Sequence, residues 1–248
     1  MCGIFGFFCA DNHGRVDASL TKNVLDKLFL LSEARGKESS GIAVKSSNSK
    51  KIYVLKKSIP ASNLIKSKEY KNFFDEVILP SLNSNDHQST SIIAHARLVT
   101  NGSQENNNNN QPVIKDHIVA VHNGIITNVD KLWEKHKEHL KRNLEVDTEV
   151  FLALHQWYLS QNHGIVSAIR NVFSEIQGTA SIAMLYDFLP ISVVATNNGS
   201  LYYSYSSDNT VFIFASEKYI LRRVIDEFDL KSKFKLQDVF WLSPGNLV

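Results

Sequence analysis

Met1-Cys2-Gly3-Ile4-Phe5-Gly6-Phe7-Phe8-Cys9 is an apolar run interrupted only by glycines, rich in the aromatic side chains that favour strands. It reads as one strand at the start of the chain. Outward from it, residues 40–45 and the neighbourhood of Tyr53 also read as strands. Between them, residues 19–33 carry Val24, Leu25, Leu28, Phe29 and Leu31 at helical spacing. A helix is predicted over 61–79, ended by Pro80, followed by a polar loop over 82–91. SIIAHAR (91–97) and HIVAVHNG (117–124) read as strands. The segment between them, SQENNNNNQP (103–112), has five consecutive asparagines and predicts a mobile loop.

Helical patterns return at 128–141, 147–160 and 164–174, with Val150, Phe151, Leu154, Trp157 and Tyr158 on one stripe of the second. Short strands follow at 181–187, 191–196, 200–205 and 211–216, then a helix over 217–226 and a closing strand over 236–242. Strands in groups and helices in groups predict an α+β fold rather than a doubly wound parallel sheet. With 248 residues, 43% of them hydrophobic, and no internal repeat, the simplest division is a single domain over 1–248.

Composition narrows the function classes. Lys and Arg total 27 against 25 Asp and Glu, and the resulting +2 is spread thinly, so nucleic acid is disfavoured as a ligand. No apolar run approaches the roughly 20 residues of a membrane helix, and none is expected. Cys2 and Cys9 on one strand would lie about 23 Å apart, beyond disulfide reach, so both are expected as free thiols. With no secretory signal at the start, a cytoplasmic location is expected.

The chemistry begins at Cys2. Removal of Met1, expected before a small side chain, leaves Cys2 carrying both a thiol and an α-amine. Their ordinary pKa values are about 8.5 and 7.7–8.0, so one residue supplies a nucleophile and a proton acceptor. Position alone is equally that of a packed thiol. Three further segments give it company: Arg35-Gly36-Lys37-Glu38-Ser39-Ser40-Gly41-Ile42, His95-Ala96-Arg97-Leu98-Val99-Thr100-Asn101-Gly102, and His122-Asn123-Gly124-Ile125-Ile126-Thr127-Asn128. Asp147-Thr148-Glu149 then opens a helix.

With these motifs in this order, the chain resembles the class II glutamine amidotransferases, N-terminal-nucleophile hydrolases that begin Met-Cys-Gly-Ile. It is similar in particular to the glutaminase halves of glucosamine-6-phosphate synthase and amidophosphoribosyltransferase. The likeness runs through Gln177-Gly178, Phe214-Ala215-Ser216 and Pro244-Gly245. It implies a four-layer αββα sandwich of two mainly antiparallel sheets. It also implies hydrolysis of L-glutamine to glutamate and ammonia through a Cys2 thioester, the ammonia passing to a synthetase domain or subunit.

In that reading Arg97 suits the α-carboxylate of glutamine and Asp147 its α-ammonium. Asn123 and Gly124 match the oxyanion segment, and Thr100, Asn101 and Gly102 line the substrate site under an Asn-rich lid. Arg35 matches an arginine near the nucleophile, with a structural role. His95 and His122 read as satisfied strand-end histidines, and Cys9 as core. The departures at Leu98, Asn101 and Gln111 bear on lid closure and coupling rather than on hydrolysis. No metal-ligand cluster or phosphate loop is visible, so no cofactor is expected. Two other readings stay open: an acylase acting on another amide, and a catalytically idle glutamine-binding regulator. The ammonia acceptor is also open among sugar phosphates, phosphoribosyl groups, aspartate and activated carboxylates, with a sugar-like acceptor preferred.

Overall fold

The apolar amino-terminal run becomes β1 (Gly3–Cys9), the middle strand of a seven-stranded sheet. The computed structural model describes residues 2–10, 16–83, 88–97 and 106–248. With β1 in the first sheet lie β2 (Ser39–Ser46), β3 (Ile52–Lys57), β4 (Thr90–Arg97), β9 (Tyr202–Tyr205), β10 (Val211–Ala215) and β11 (Phe240–Trp241). Their order is β11-β9-β10-β1-β4-β2-β3. The second sheet has β5 (Val113–Lys115), β6 (Ile118–Ile126), β7 (Gly178–Tyr186), β8 (Ser192–Thr196) and β12 (Asn246–Leu247), in the order β12-β8-β7-β6-β5. Every pairing in both sheets is antiparallel.

Helices cover the outer face of each sheet. Over the first lie α1 (Ala18–Ser32), the short α2 (Ala61–Leu64), α3 (Lys68–Phe73) and α4 (Leu79–Leu82), and later α8 (Lys218–Glu227) and α9 (Leu230–Lys233). Over the second lie α5 (Val129–Lys135), α6 (Asp147–Ser160) and α7 (Ile165–Glu175). Strand alternation divides the side chains into three cores. Phe5, Phe7 and Cys9 of β1 pack on the first helical layer, whereas Ile4 packs with Ile93, Val119, Val121 and Ala183 between the sheets. The third core joins β6 and β7 to α6 and α7. This is the expected αββα sandwich.

Most elements fall where periodicity puts them, with four differences. The 61–79 helix is broken: Ser67 caps α3 through the Tyr70 N–H at 3.1 Å, and a π-helical turn over Phe74–Ile78 joins α3 to α4. Pro80 does not end it but sits in the first turn of α4, where a missing N–H costs nothing. The 128–141 helix stops as α5 at Lys135. The closing strand expected over 236–242 is reduced to β11 at Phe240–Trp241, and the Pro244-Gly245 turn then carries the tail from the first sheet to an unexpected strand, β12, on the second. Finally, residues 106–112 are not a mobile loop, as described below. Of the polar 82–91 stretch, residues 84–87 lie outside the described residues.

Helix α6 buries more than a stripe: every residue from Asp147 to His155 is buried. It lies in the layer over β5 and β6, so its amino terminus is delivered to the end of β6. Among the described residues neither Cys2 nor Cys9 is in a disulfide, and no helix is long and apolar enough to cross a membrane.

Candidate active site

Register brings Cys2 and Arg97 to one end of the first sheet. Gly3 pairs with Ala96 and Ser39 with Arg97, so Cys2, Arg97 and Ser39 end three adjacent strands. Arg97 shares its strand face with Ile93, which packs between the sheets, and the guanidinium therefore enters the inter-sheet cleft. It is buried there. Burial lowers its pKa from the ordinary value, opposed in turn by Cys2, Asp147 and Glu38. The electrostatic reach of Arg97 thus includes the thiol and the carboxylate that sequence reading had paired with it.

The second sheet contributes one edge of β6. Ala180, opposite Gly124, directs its own N–H and carbonyl to Asn197 on its far side, so the Gly124 and Ala180 pair exchange no ladder bonds. The N–H groups of His122, Gly124 and Ile126 therefore point along the other edge. His122 N–H donates to Gln111 Oε1 at 2.5 Å, and Ile126 N–H donates to Asp147 Oδ2 at 2.9 Å. Gly124 N–H lies between these two. A side chain is barred at Gly124, because a Cβ would stand 2.0 Å from the Thr179 carbonyl oxygen and 2.8 Å from His122 Nε2. Asn123 alternates to the opposite face, with Val119 and Val121, and is buried between the sheets. Its Oδ1 has no hydrogen-bond partner among the described residues.

Asp147 is the first residue of α6 rather than its cap, which is Val146. Its carboxylate turns back to β6 and lies 3.7 Å from His122 Nδ1. Burial alone would raise the carboxyl pKa, but His122 and the N–H groups of Ile126 and Thr148 hold it below the ordinary range. The charge is therefore maintained in a buried place. A cavity of about 490 Å³ opens beside it, lined by Ile126, Thr127, Asn128, Arg142 and Glu145 among others.

Sequence reading missed the part that joins these pieces. Residues 107–109 form a turn of 3-10 helix, and Asn109, Asn110 and Gln111 are buried. Each holds a different element. Asn109 donates to Glu145 Oε2 at 2.8 Å and accepts from its N–H at 3.2 Å, two residues before Asp147. Asn110 Oδ1 accepts from Arg97 Nη1 at 2.7 Å. Gln111 grips the His122 backbone twice, accepting at 2.5 Å and donating to the carbonyl at 3.0 Å. Gly41 makes room for the crossing, since a Cβ there would stand 2.4 Å from the Gln111 carbonyl oxygen. The described part of the Asn-rich segment is thus a brace rather than a lid.

The remaining sequence expectations fall as follows. Thr100, Asn101 and Gly102, with Leu98, lie outside the described residues. Arg35 pairs through Nη1 with Glu217 at 2.9 Å, next to Ser216, which bonds Ile4 of β1 through both its backbone N–H and its hydroxyl. His122 is satisfied as expected, by Thr148 Oγ1 at 3.2 Å and the Thr179 carbonyl at 3.4 Å. His95 is not: it is fully buried, and among the described residues neither ring nitrogen has a partner of good geometry. Desolvation, then Arg97 and His122, press its pKa well below the ordinary value, against a raising influence of the nearby His122 backbone. Cys9 packs in the first helical core.

Glutamine–fructose-6-phosphate aminotransferase (isomerizing) of Bacillus thuringiensis subsp. konkukian is 29% identical over 230 residues, covering 92% of this chain and 34% of the relative. The aminotransferase of the same name from Wigglesworthia glossinidia brevipalpis is 29% identical over 251 residues, covering 97% of this chain and 37% of the relative. The chain therefore spans little more than a third of the length of these relatives. Glutamine phosphoribosylpyrophosphate amidotransferase from B. subtilis, solved with ADP and GMP, superposes with a TM-score of 0.64 at 19% identity, over 99% of this chain and 46% of that one. A second solved structure, described as the allosteric regulatory enzyme of purine biosynthesis, gives 0.66 at 19% identity with the same coverages. Both share the fold. The model of the glutamine amidotransferase domain matches residues 95–223, more than half of the chain, and the chain belongs to that family, within its class II, N-terminal-nucleophile branch.

Proposed function

We infer that this chain hydrolyses L-glutamine to glutamate and ammonia through a thioester on Cys2, residues 1–248 acting as one glutaminase unit. Removal of Met1 frees the Cys2 amine. The thiol gives its proton to that amine as sulfur attacks the side-chain carboxamide carbon of glutamine. The tetrahedral oxyanion takes hydrogen bonds from the Asn123 side-chain amide and the Gly124 N–H. Collapse of the intermediate breaks the C–N bond as the amine returns the proton to the leaving nitrogen, which departs as ammonia. Water, deprotonated by the same amine, then cleaves the thioester to glutamate and restores the thiol.

Arg97 receives the substrate α-carboxylate and Asp147 its α-ammonium, so both ends of a free amino acid are read. Thr100, Asn101 and Gly102 complete the substrate contacts, and Arg35 acts structurally, through Glu217, on the strand that carries the nucleophile. The observation that carries this reading is the convergence on buried Arg97 of Cys2, from the start of β1, and Asp147, from the start of α6. A second supports it: among the described residues Asn123 Oδ1 is buried without a donor, and a liberated Cys2 amine is a donor of the kind it lacks. The ammonia goes to an acceptor domain or subunit of a synthetase, as expected for an amidotransferase. A sugar-like acceptor agrees with the aminotransferase relatives.

The test uses the chain with Met1 removed. Glutamate release from glutamine is expected, together with a single adduct on Cys2 from an electrophilic glutamine analogue such as 6-diazo-5-oxonorleucine. Cys2→Ala should abolish both. A processed wild-type chain that releases no glutamate and takes up no label refutes the reaction.

A further inference from the structure

Lys56 is the penultimate residue of an edge strand, where an alternating Lys is ordinarily a solvated residue that blunts sheet pairing. Here it points elsewhere. It shares the face of β3 on which Ile52 and Val54 pack against the inter-sheet core, and it is half-buried. Its ammonium meets three backbone carbonyls of the Asn-rich segment: Asn110 at 2.8 Å, Pro112 at 3.0 Å and Asn108 at 3.4 Å. Its own carbonyl accepts from Asn107 Nδ2 at 3.2 Å. An ammonium has three N–H donors, and the carbonyls of Asn108, Asn110 and Pro112 take one each. The Lys56 stem lies over Gly41, where the segment crosses β2.

We propose that Lys56 is a positioning residue for glutamine: its ammonium clips the 108–112 backbone to the first sheet and so aims Asn110 at Arg97. The inference rests on the reading that Arg97 binds the substrate carboxylate. Asn110 is the link, with Oδ1 on Arg97 and Nδ2 on Ser58 Oγ at 2.9 Å, so its side chain is determined at both ends. Its backbone is what Lys56 holds. The clip also places a second positive charge near the place of the carboxylate.

The clip titrates in an accessible range. Desolvation, then the repulsion of Arg97, lowers the Lys56 pKa to about 8. On the facing elements among the described residues, β4 presents Arg97, Glu38 at the entry to β2 acts on that Arg97, β2 presents Ser39 and Gly41, and the 107–112 segment presents amides and carbonyls. Lys57 turns to the opposite face and pairs with Glu69, while Glu145 is held by Asn109. Below pH 8 the ammonium donates to all three carbonyls. Above it, the neutral amine has lost a donor and its charge.

Binding is measured by calorimetry in the Cys2→Ala full-length chain, with and without Lys56→Met, so that the result does not depend on turnover. The ligands are glutamine and γ-aminobutyramide, which is glutamine without its α-carboxylate. At pH 7, Lys56→Met should weaken glutamine about tenfold, the range of a lost charged hydrogen bond, and leave γ-aminobutyramide within about twofold. At pH 9.5 the tenfold ratio should fall toward one, because the parent has lost the same charge; this ratio cancels the ionisation of glutamine itself. Equal weakening of both ligands, or a ratio that ignores pH, overturns the proposal in favour of a general structural role. Should the Met variant fail to fold, Lys56→Arg, which keeps its charge at pH 9.5, takes its place, and its affinity for glutamine relative to the parent must rise between pH 7 and 9.5. Failure of glutamine to bind the parent overturns the site assignment and the clip with it. Glutamate release by the Met1-processed chain with Cys2 intact reports separately on the proposed reaction.

Discussion

Asn110 Oδ1 and Arg97 Nη1 meet at 2.7 Å inside the cleft, and both residues are buried. A neutral acceptor beside the cation orients the guanidinium without cancelling its charge. Its neighbours extend the same logic, since Asn109 and Gln111 bind Glu145 and the His122 backbone. Three adjacent amides thereby set the separation of Arg97, the start of α6 that carries Asp147, and the β6 edge at Gly124.

Asn110→Ala should raise the KM for glutamine about 10- to 100-fold, the range of a hydrogen bond to a charged group, with a smaller change in kcat. Asn110→Asp should be worse at pH 7, because a carboxylate would pair with Arg97 and compete with the substrate. Steady-state glutamate release measures both. An Asp variant with wild-type KM would show that Arg97 does not bind the carboxylate.

The legibility of this molecule follows burial and sequence distance. β1, β4 and β6 are apolar runs long enough to be read locally, and Cys2, Arg97, Asn123, Gly124 and Asp147 stand at their ends or at a helix start. The brace was invisible because a run of asparagines looks like a solvated loop until its partners are known, and those partners lie far away: Glu145 is 36 residues from Asn109, and Ser58 is 52 from Asn110. Gln111 registered only as a departure from the family pattern, although its amide occupies the β6 edge as a further strand would. Lys56 was equally hidden, since strand alternation assigns it a face but not the cleft that this face borders.

His95 offers a test of the pH assignment. Desolvation, then Arg97 and His122, hold its folded pKa well below the ordinary value, so the folded state keeps it neutral while the unfolded chain protonates near 6.5. Stability is therefore full above about pH 6.5 and declines below it. His95→Leu also removes two unpartnered nitrogens, so it should leave stability at pH 7 equal or higher and flatten its decline between pH 6.5 and 5. Urea midpoints at these pH values check this.

Lys115 and Glu149 form an ion pair at 2.9 Å beneath the start of α6, with side-chain exposures of 7% and 0%. Glu149 also accepts from the N–H groups of Asn143 and Leu144, at 2.8 and 2.7 Å. Lys115→Met leaves that carboxylate buried without its cation and should cost about 3–5 kcal/mol. The double variant Lys115→Met, Glu149→Leu should recover part of the loss. Chemical denaturation of the single and double variants measures the difference, and equal stability of Lys115→Met and wild type would refute the account.

Glu175, at the end of α7, sets the acid limit of the second helical layer. Desolvation would raise its pKa, but His136, Lys135 and Tyr158 bond to it and lower the value to about 2. A depressed carboxyl pKa contributes stability that is complete above its unfolded value, about 4.3, and disappears as pH falls through about 2. Glu175→Gln removes the charge at every pH, so it should be less stable than wild type at pH 7 and should lose less stability between pH 4.5 and 2. The two unfolding curves must converge in acid. Parallel curves across that interval would mean that the Glu175 carboxylate does not hold α5 to α7, and that the aromatic contact of His136 with Trp157 does so instead.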